Sequence, residues 1–151
     1  MTRLLFICHG NICRSPLAEY IMRSKLEAAG VADRFEVVSA ATSMEEIGNP
    51  VYPPVRRLLA TRGIDCSEKK ARRVLAADYD RYDFIIGMDM ANIRNLNRLF
   101  DGDPKGKVKL LMEYAGEHCD VADPWYTRDF DTALRDIERG CDALLTHLLH
   151  R

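Results

Sequence analysis

Near its start the chain reads Cys8-His9-Gly10-Asn11-Ile12-Cys13-Arg14-Ser15-Pro16. A thiol and a guanidinium bracket a short loop. The apolar run Leu4-Leu5-Phe6-Ile7 precedes it and a helix-forming stretch follows. Backbone N–H groups in such a loop can curl into a nest aimed at one point, and the next helix adds partial positive charge there. A nest of this kind accepts a phosphate-sized oxyanion. Gly10 and Asn11 are the residues best able to take left-handed backbone angles inside it. Arg14 can close the ring with a two-pronged guanidinium. The same field draws a thiol toward its nucleophilic thiolate. Cys8 beneath a bound oxyanion therefore points to attack of sulfur on phosphorus.

Cleaving a phosphoester also needs a group that protonates the leaving oxygen. Asp123, followed by Pro124, is the best-placed acid on a separate loop, and Trp125 and Tyr126 could wall a cleft for a ring-bearing substrate. Each residue has an ordinary reading as well. Cysteine is often a small buried hydrophobe, which is the reading taken for Cys66, Cys119 and Cys141. Asp-Pro is a common turn pair. His9 reads as a loop spacer offering its backbone N–H, or as a source of positive charge. Cys13 either packs under the loop or pairs with Cys8 on oxidation. The basic run Lys69, Lys70, Arg72 and Arg73 reads as a solvated face, and Leu144, Leu145, Leu148 and Leu149 as helix core.

The elements that must hold these groups alternate in kind. Arg3 to Cys8 reads as a buried parallel strand, and Ser15 to Ala29 as a helix capped by Ser15 and ended by Gly30. Phe35 to Ser39 is a second strand candidate, and Pro53 to Arg62 a second helix. Asp83 to Met88 reads as a third strand, followed by a helix, Met90 to Leu99, capped by Asp89. Val108 to Met112 is a fourth strand; a loop with Asp123 then leads to a last helix, roughly Phe130 to Leu149. Strands alternating with helices imply a three-layer α/β/α domain around a parallel sheet. Ligands of such sheets bind at the carboxyl ends of the strands, which is where Cys8 falls.

Composition narrows the field. The 151 residues suffice for one domain with a proper core, so residues 1–151 are read as a single domain. A formal charge of −1 argues against general binding to nucleic acid or membrane. The early apolar run is too short for a leader or a span, so a cytoplasmic protein is expected. The five scattered cysteines and four histidines show no disulfide framework and no zinc-ligand spacing, so no metal or other cofactor is expected.

Cys8-His9-Gly10-Asn11-Ile12-Cys13-Arg14-Ser15 resembles the Cys-x5-Arg-Ser phosphate loop of the low-molecular-weight protein tyrosine phosphatases. Ser39-Ala-Ala-Thr-Ser, Ile47-Gly48-Asn49-Pro50, Met88-Asp89 and Asp123-Pro124-Trp125-Tyr126 resemble further family segments in the family's order, so the resemblance spans essentially the whole chain. It implies a four-stranded parallel sheet with the phosphate-binding loop after the first strand, and no metal. Cys8 would be the nucleophile and pass through a phosphocysteine. Arg14 would bind the phosphoryl oxygens, and Asp123 would act as acid and then base. His9, Gly10, Asn11, Ile12, Cys13 and Ser15 would form the substrate-binding loop, with Ser39 supporting it. Trp125, Tyr126 and Glu45 would stand at its rim. The partner implied is a phosphotyrosine-containing protein, and a monomer is expected.

Two positions depart from the family pattern. Glu45 stands where many members carry an aromatic residue, so a preference for less acidic or basic substrates is expected. Lys69 stands where animal members have a histidine that supports the loop. Two related activities of the same fold, and a carrier domain that shares only the strand–Cys–loop start, give alternatives. Protein arginine phosphatases typically have threonine at the position of Ile12. Arsenate reductases need a close pair of cysteines that residues 76–99 lack, and a phosphocysteine carrier would need neither Arg14 nor Asp123. A non-catalytic phosphotyrosine-binding module would be expected to lose Cys8, Arg14 or Asp123, and all three are present.

Overall fold

The computed structural model describes residues 1–151. Strand β1 (Thr2–Cys8) lies inside a four-stranded sheet of order β2-β1-β3-β4, with β2 at Phe35–Ala41, β3 at Phe84–Gly87 and β4 at Val108–Leu110. Every pairing is parallel, with Cys8 in register with Ala41 and Ile7 with Gly87. The continuous apolar run of β1 follows from burial on both faces. Side chains alternate along a strand. Leu4, Phe6 and Cys8 join the larger core, with Leu17 and Ile21 of helix α1 (Arg14–Ala28) and Ile137 and Leu144 of helix α6 (Phe130–Leu149). Leu5 and Ile7 face the opposite layer, where Tyr79 of α3 (Asp78–Arg81) and Leu96 of α4 (Met90–Leu99) pack. Two further helices complete the set, α2 (Pro53–Ala60) and α5 (Pro124–Thr127).

This order places the chemistry. From β1 the chain crosses to one neighbour, β2, and later returns to the other side at β3. The strand order therefore reverses at β1, and the crevice between its two crossovers opens at its carboxyl end, beside Cys8.

Several element boundaries differ from the sequence expectation. Helix α1 starts at Arg14, with Cys13 as its N-cap residue and no side-chain cap; Ser15 lies inside the first turn. Strand β2 runs on to Ala41 because residues 72–74 hydrogen-bond alongside its end. Asp83 stays outside β3, and its carboxylate accepts the Arg3 N–H at 2.8 Å. Strand β4 stops at Leu110, where the chain tightens into a 3-10 turn, Leu111–Ala115, closed by Gly116 at φ 77°. Helices α3 and α5 were not expected; each has only four residues, too few to show a periodic pattern. Helix α4 and its Asp89 cap match the expectation, as a reciprocal capping box with Asn92. In α6, Leu144 and Leu148 are buried, but Leu149, the last residue of the helix, is 41% exposed.

Candidate active site

The loop from Cys8 to Ser15 is held from below by a chain of buried hydrogen bonds. Asn11 sits in the left-handed region at φ 59°, as its type allows. Its side-chain amide donates to Ser15 Oγ at 2.8 Å and to Ser39 Oγ at 2.9 Å. Its carbonyl oxygen accepts the Arg72 N–H at 3.1 Å. Ser39 in turn donates to Glu19 Oε1 at 2.6 Å. Gly10 does not share the left-handed conformation expected of it. A Cβ there would come 3.4 Å from Glu46 Cγ, so its smallness keeps the loop's flank close to that side chain.

Two donors face the Cys8 sulfur. The Asn11 N–H reaches it at 3.3 Å, and Ser15 Oγ lies 3.0 Å away. Because Ser15 oxygen already accepts from Asn11, its own proton is free to point at sulfur. Ser15, expected as a helix cap, is thus committed to the thiol. Both contacts hold the sulfur at the floor of the loop.

Arg14 is 2% exposed, and its guanidinium divides its work. Nη1 donates to Asp89 Oδ2 at 2.8 Å and to the Val121 carbonyl at 2.9 Å. Nη2 reaches Asp123 Oδ2 at 3.4 Å. Burial disfavours its charge, but Cys8, Asp123 and Asp89 outweigh that and raise its already high pKa. Asp123 is the N-cap of α5, with Oδ1 accepting the Trp125 N–H at 3.0 Å and Oδ2 turned to Arg14. Thiol, guanidinium and carboxylate therefore meet in one open cleft of about 530 Å³.

His9, Gly10, Ile12 and Cys13 line the same cleft, with Glu45, Glu46, Trp125 and Tyr126 around its mouth. The His9 ring, expected as a spacer or a charge, hydrogen-bonds Glu45 at 3.0 Å. Trp125 packs on Tyr52, ring centroids 5.0 Å apart, and Arg128 stacks over its other side while donating to the Tyr52 hydroxyl. The rim aromatic and the acid's helix are thus braced by one cluster. Cys8 and Cys13 are both free thiols, and burial, with Cys8 and Asp123 nearby, pushes the Cys13 thiol up to about 12.

Three contributors escaped the sequence reading, and a fourth reads two ways. Asp89 was legible as a helix cap, but its second oxygen holds Arg14. Glu19 is buried and closes the network below Ser39. Glu46 joins the rim. Lys69 reads two ways in sequence, as part of a solvated basic run and as standing where a family histidine supports the loop; it takes the second place, donating to the Ser39 carbonyl at 2.9 Å and lying 3.7 Å from Glu19. Burial pulls its ammonium below the usual lysine range, with Glu19 opposing. A lone acid near an apolar helix face was the one available signal for Glu19; nothing local marks the others. No group of three His, Cys, Asp or Glu side chains converges in a way that could hold a metal ion.

A thiol and an arginine at opposite ends of one anion-sized loop, over the carboxyl ends of a parallel sheet, define a class of α/β proteins built around a phosphoryl group. The comparisons narrow that class. The chain belongs to the low molecular weight phosphotyrosine protein phosphatase family, whose sequence model matches residues 3–151. It is 35% identical over 150 residues to the low molecular weight protein-tyrosine-phosphatase YfkJ of Bacillus subtilis, covering 98% of this chain and 96% of that one. The crystal structure of YfkJ superposes with a TM-score of 0.95 over 99% of this chain and 95% of that chain. The human low molecular weight phosphotyrosine protein phosphatase is 37% identical over 147 residues, 94% of this chain and 92% of its own. A solved Drosophila arginine phosphatase is also similar, with a TM-score of 0.87 at 27% identity, covering 98% of each chain. The chain is accordingly an enzyme, a protein phosphatase whose substrates are phosphoproteins. No helix is long and apolar enough to cross a membrane.

Proposed function

We propose that this enzyme hydrolyses phosphotyrosine monoesters through a phosphocysteine intermediate. The observation that carries the reading is the meeting of Cys8, Arg14 and Asp123 at the floor of one cleft. The Cys8 sulfur attacks phosphorus; an S–P bond forms as the bond from phosphorus to the tyrosine oxygen breaks. The proton of the Asp123 carboxyl passes to that leaving oxygen. In the second step Asp123, now a carboxylate, takes a proton from water as its oxygen attacks phosphorus. The S–P bond breaks, and thiolate and inorganic phosphate result. Arg14 and the loop amides hold the equatorial oxygens in both steps, where charge is spread in the transition state. Asn11 and Ser15 steady the sulfur as nucleophile and as leaving group.

Depth supports tyrosine over shorter residues. Cys8 is 3% exposed, so a phosphoryl group must arrive at the end of a long side chain. Trp125 and Tyr126 offer flat apolar faces to a phenyl ring on the way down. The test is phosphate release from a phosphotyrosine peptide in excess EDTA, beside phosphoarginine and phosphoserine peptides and the Cys8→Ser variant. Turnover of phosphotyrosine alone, abolished in the variant, is expected. Preferential release from phosphoarginine, or turnover that survives loss of the thiol, would overturn the reading.

A further inference from the structure

We propose that the groove beside the cleft is a second anion site, which takes an acidic side chain of the same peptide that presents its phosphotyrosine to Cys8. The proposal rests on the phosphotyrosine reading above. The groove is lined by His9, Thr42, Ser43, Arg73, Asn95 and Arg98, among others, and by no carboxylate. Its floor hangs directly on the catalytic loop. Thr42 N donates to the Cys8 carbonyl at 3.0 Å, and Ser43 N to the His9 carbonyl at 3.1 Å. Arg73 is fixed at the edge by a parallel bridge to Ala41 at the end of β2, and Arg98 projects from the last turn of α4.

Neither of these guanidiniums has an acidic partner. Arg73 makes no side-chain hydrogen bond, and Arg98 donates only to the neutral Asn95. The adjacent Arg72, by contrast, pairs with Asp78 at 3.1 Å. Thr42 Oγ is the one buried side-chain polar atom in the protein with no hydrogen-bond partner. Two guanidiniums without acidic partners, in a groove with no carboxylate in its lining, make a site for a carboxylate or a phosphoryl group.

The position of the groove says how such an anion arrives. His9 lines both the groove and the cleft. An extended peptide advances about 3.3–3.6 Å per residue, so a side chain reaching the groove belongs to a near neighbour of the phosphotyrosine. In the cleft, His9 hydrogen-bonds Glu45, and Glu46 lines the same mouth, whereas neither carboxylate lines the groove. The mouth is therefore polarised, basic toward Arg73 and Arg98 and acidic toward Glu45, and it reads the order of charges along the peptide.

The test uses peptides carrying a non-hydrolysable phosphonate in place of phosphotyrosine. Glu, phosphoserine or Ala is placed at successive positions on either side, and binding is measured by calorimetry to the wild-type protein and to Arg73→Ala/Arg98→Ala. Hydrolysis of p-nitrophenyl phosphate is followed in parallel. We expect Glu at one or two positions to tighten binding about fivefold over Ala at low salt. The double variant should lose that advantage, with p-nitrophenyl phosphate turnover unchanged. Phosphoserine outbinding Glu there would name a second phosphoryl group as the occupant, and equal binding would name a carboxylate. Intact p-nitrophenyl phosphate turnover with no Glu advantage, or an advantage that survives both substitutions, overturns the site alone. Absence of that turnover in the wild type overturns the phosphatase reading, and this site with it.

Discussion

At the floor of the cleft, Asn11, Ser15 and Ser39 are fully buried, and each side chain has its polar groups satisfied by another part of the protein. At the rim, Tyr126 is 81% exposed, and the Glu45 carboxylate has one partner, His9. The two regions meet in one cleft and differ in what a substitution disturbs. A change at the floor strands a buried partner without solvent to replace it, which is costly. A change at the rim exchanges one solvated contact for another, so it alters which substrate is preferred more than whether the chemistry occurs.

The hardest way to break this contrast is through Arg14. Arg14→Lys keeps the charge but loses the fork that serves Asp89, Val121 and the cleft at once. Turnover of a phosphotyrosine peptide should fall by about 10³-fold or more, measured at saturating substrate beside circular dichroism to show the fold intact. Asp123→Asn should follow, with a loss of about 10²–10⁴-fold. That loss should shrink with p-nitrophenyl phosphate, whose leaving group needs less help from a proton; equal losses with both substrates would argue against the acid role.

Lys69→Met tests the floor one layer down. The Ser39 carbonyl loses its ammonium, while Glu19 keeps Arg23 at 2.6 Å. Urea unfolding should show a loss of about 1–3 kcal/mol, with turnover reduced less than in either variant above. Alkali probes the same burial. Unfolded thiols and phenols titrate near 9.0 and 10.0, whereas Cys13, Cys141 and Tyr114 hold their protons to about 12, chiefly because they are buried. Between those values the unfolded chain sheds protons first, so stability must fall as pH rises from 9 toward 12. The slope should approach about 1.4 kcal/mol per pH unit for each group titrating, and Cys141→Ala should remove one share of it. A flat urea-unfolding profile across that range would mean these side chains meet water. The smallest effect belongs to the rim. Glu45→Gln should leave stability within about 0.5 kcal/mol and erase a severalfold KM advantage of phosphotyrosine peptides that carry a basic rather than an acidic residue on the Glu45 side.

What could be read from sequence follows the same division. The strand, loop and helix around Cys8 are local, and the hydrophobic run and the Gly10-Asn11 turn announce them. The Asp89 cap was equally legible, because its partner Asn92 lies in the same turn. Its hold on Arg14 was not, since that contact joins residues far apart in the chain and depends on β1 and β3 being neighbours. Lys69 was legible only by its resemblance to a loop-supporting position: by composition its basic run looks solvated, until the fold turns Lys69 under the sheet edge toward Ser39. Ser15 looked like a cap because it stands where a cap would; the thiol beneath it claims its hydroxyl instead. Cys8, Arg14 and Asp123 were all marked by their neighbours in sequence, whereas most of the groups that steady them are marked only by the fold.

The loop around Cys8 takes its shape from bonds that the protein itself supplies, from Asn11 through Ser39 to Glu19. An inhibitor that places an oxyanion there meets a receptor already set, and spends little of its binding energy on ordering it. The gain in strength from that part of a compound is correspondingly large, and it is shared by any protein that builds the same floor. Discrimination among such proteins has to be written into the portion of the molecule that lies across Glu45, His9 and Trp125, where this chain's own choice of side chains is exposed to contact.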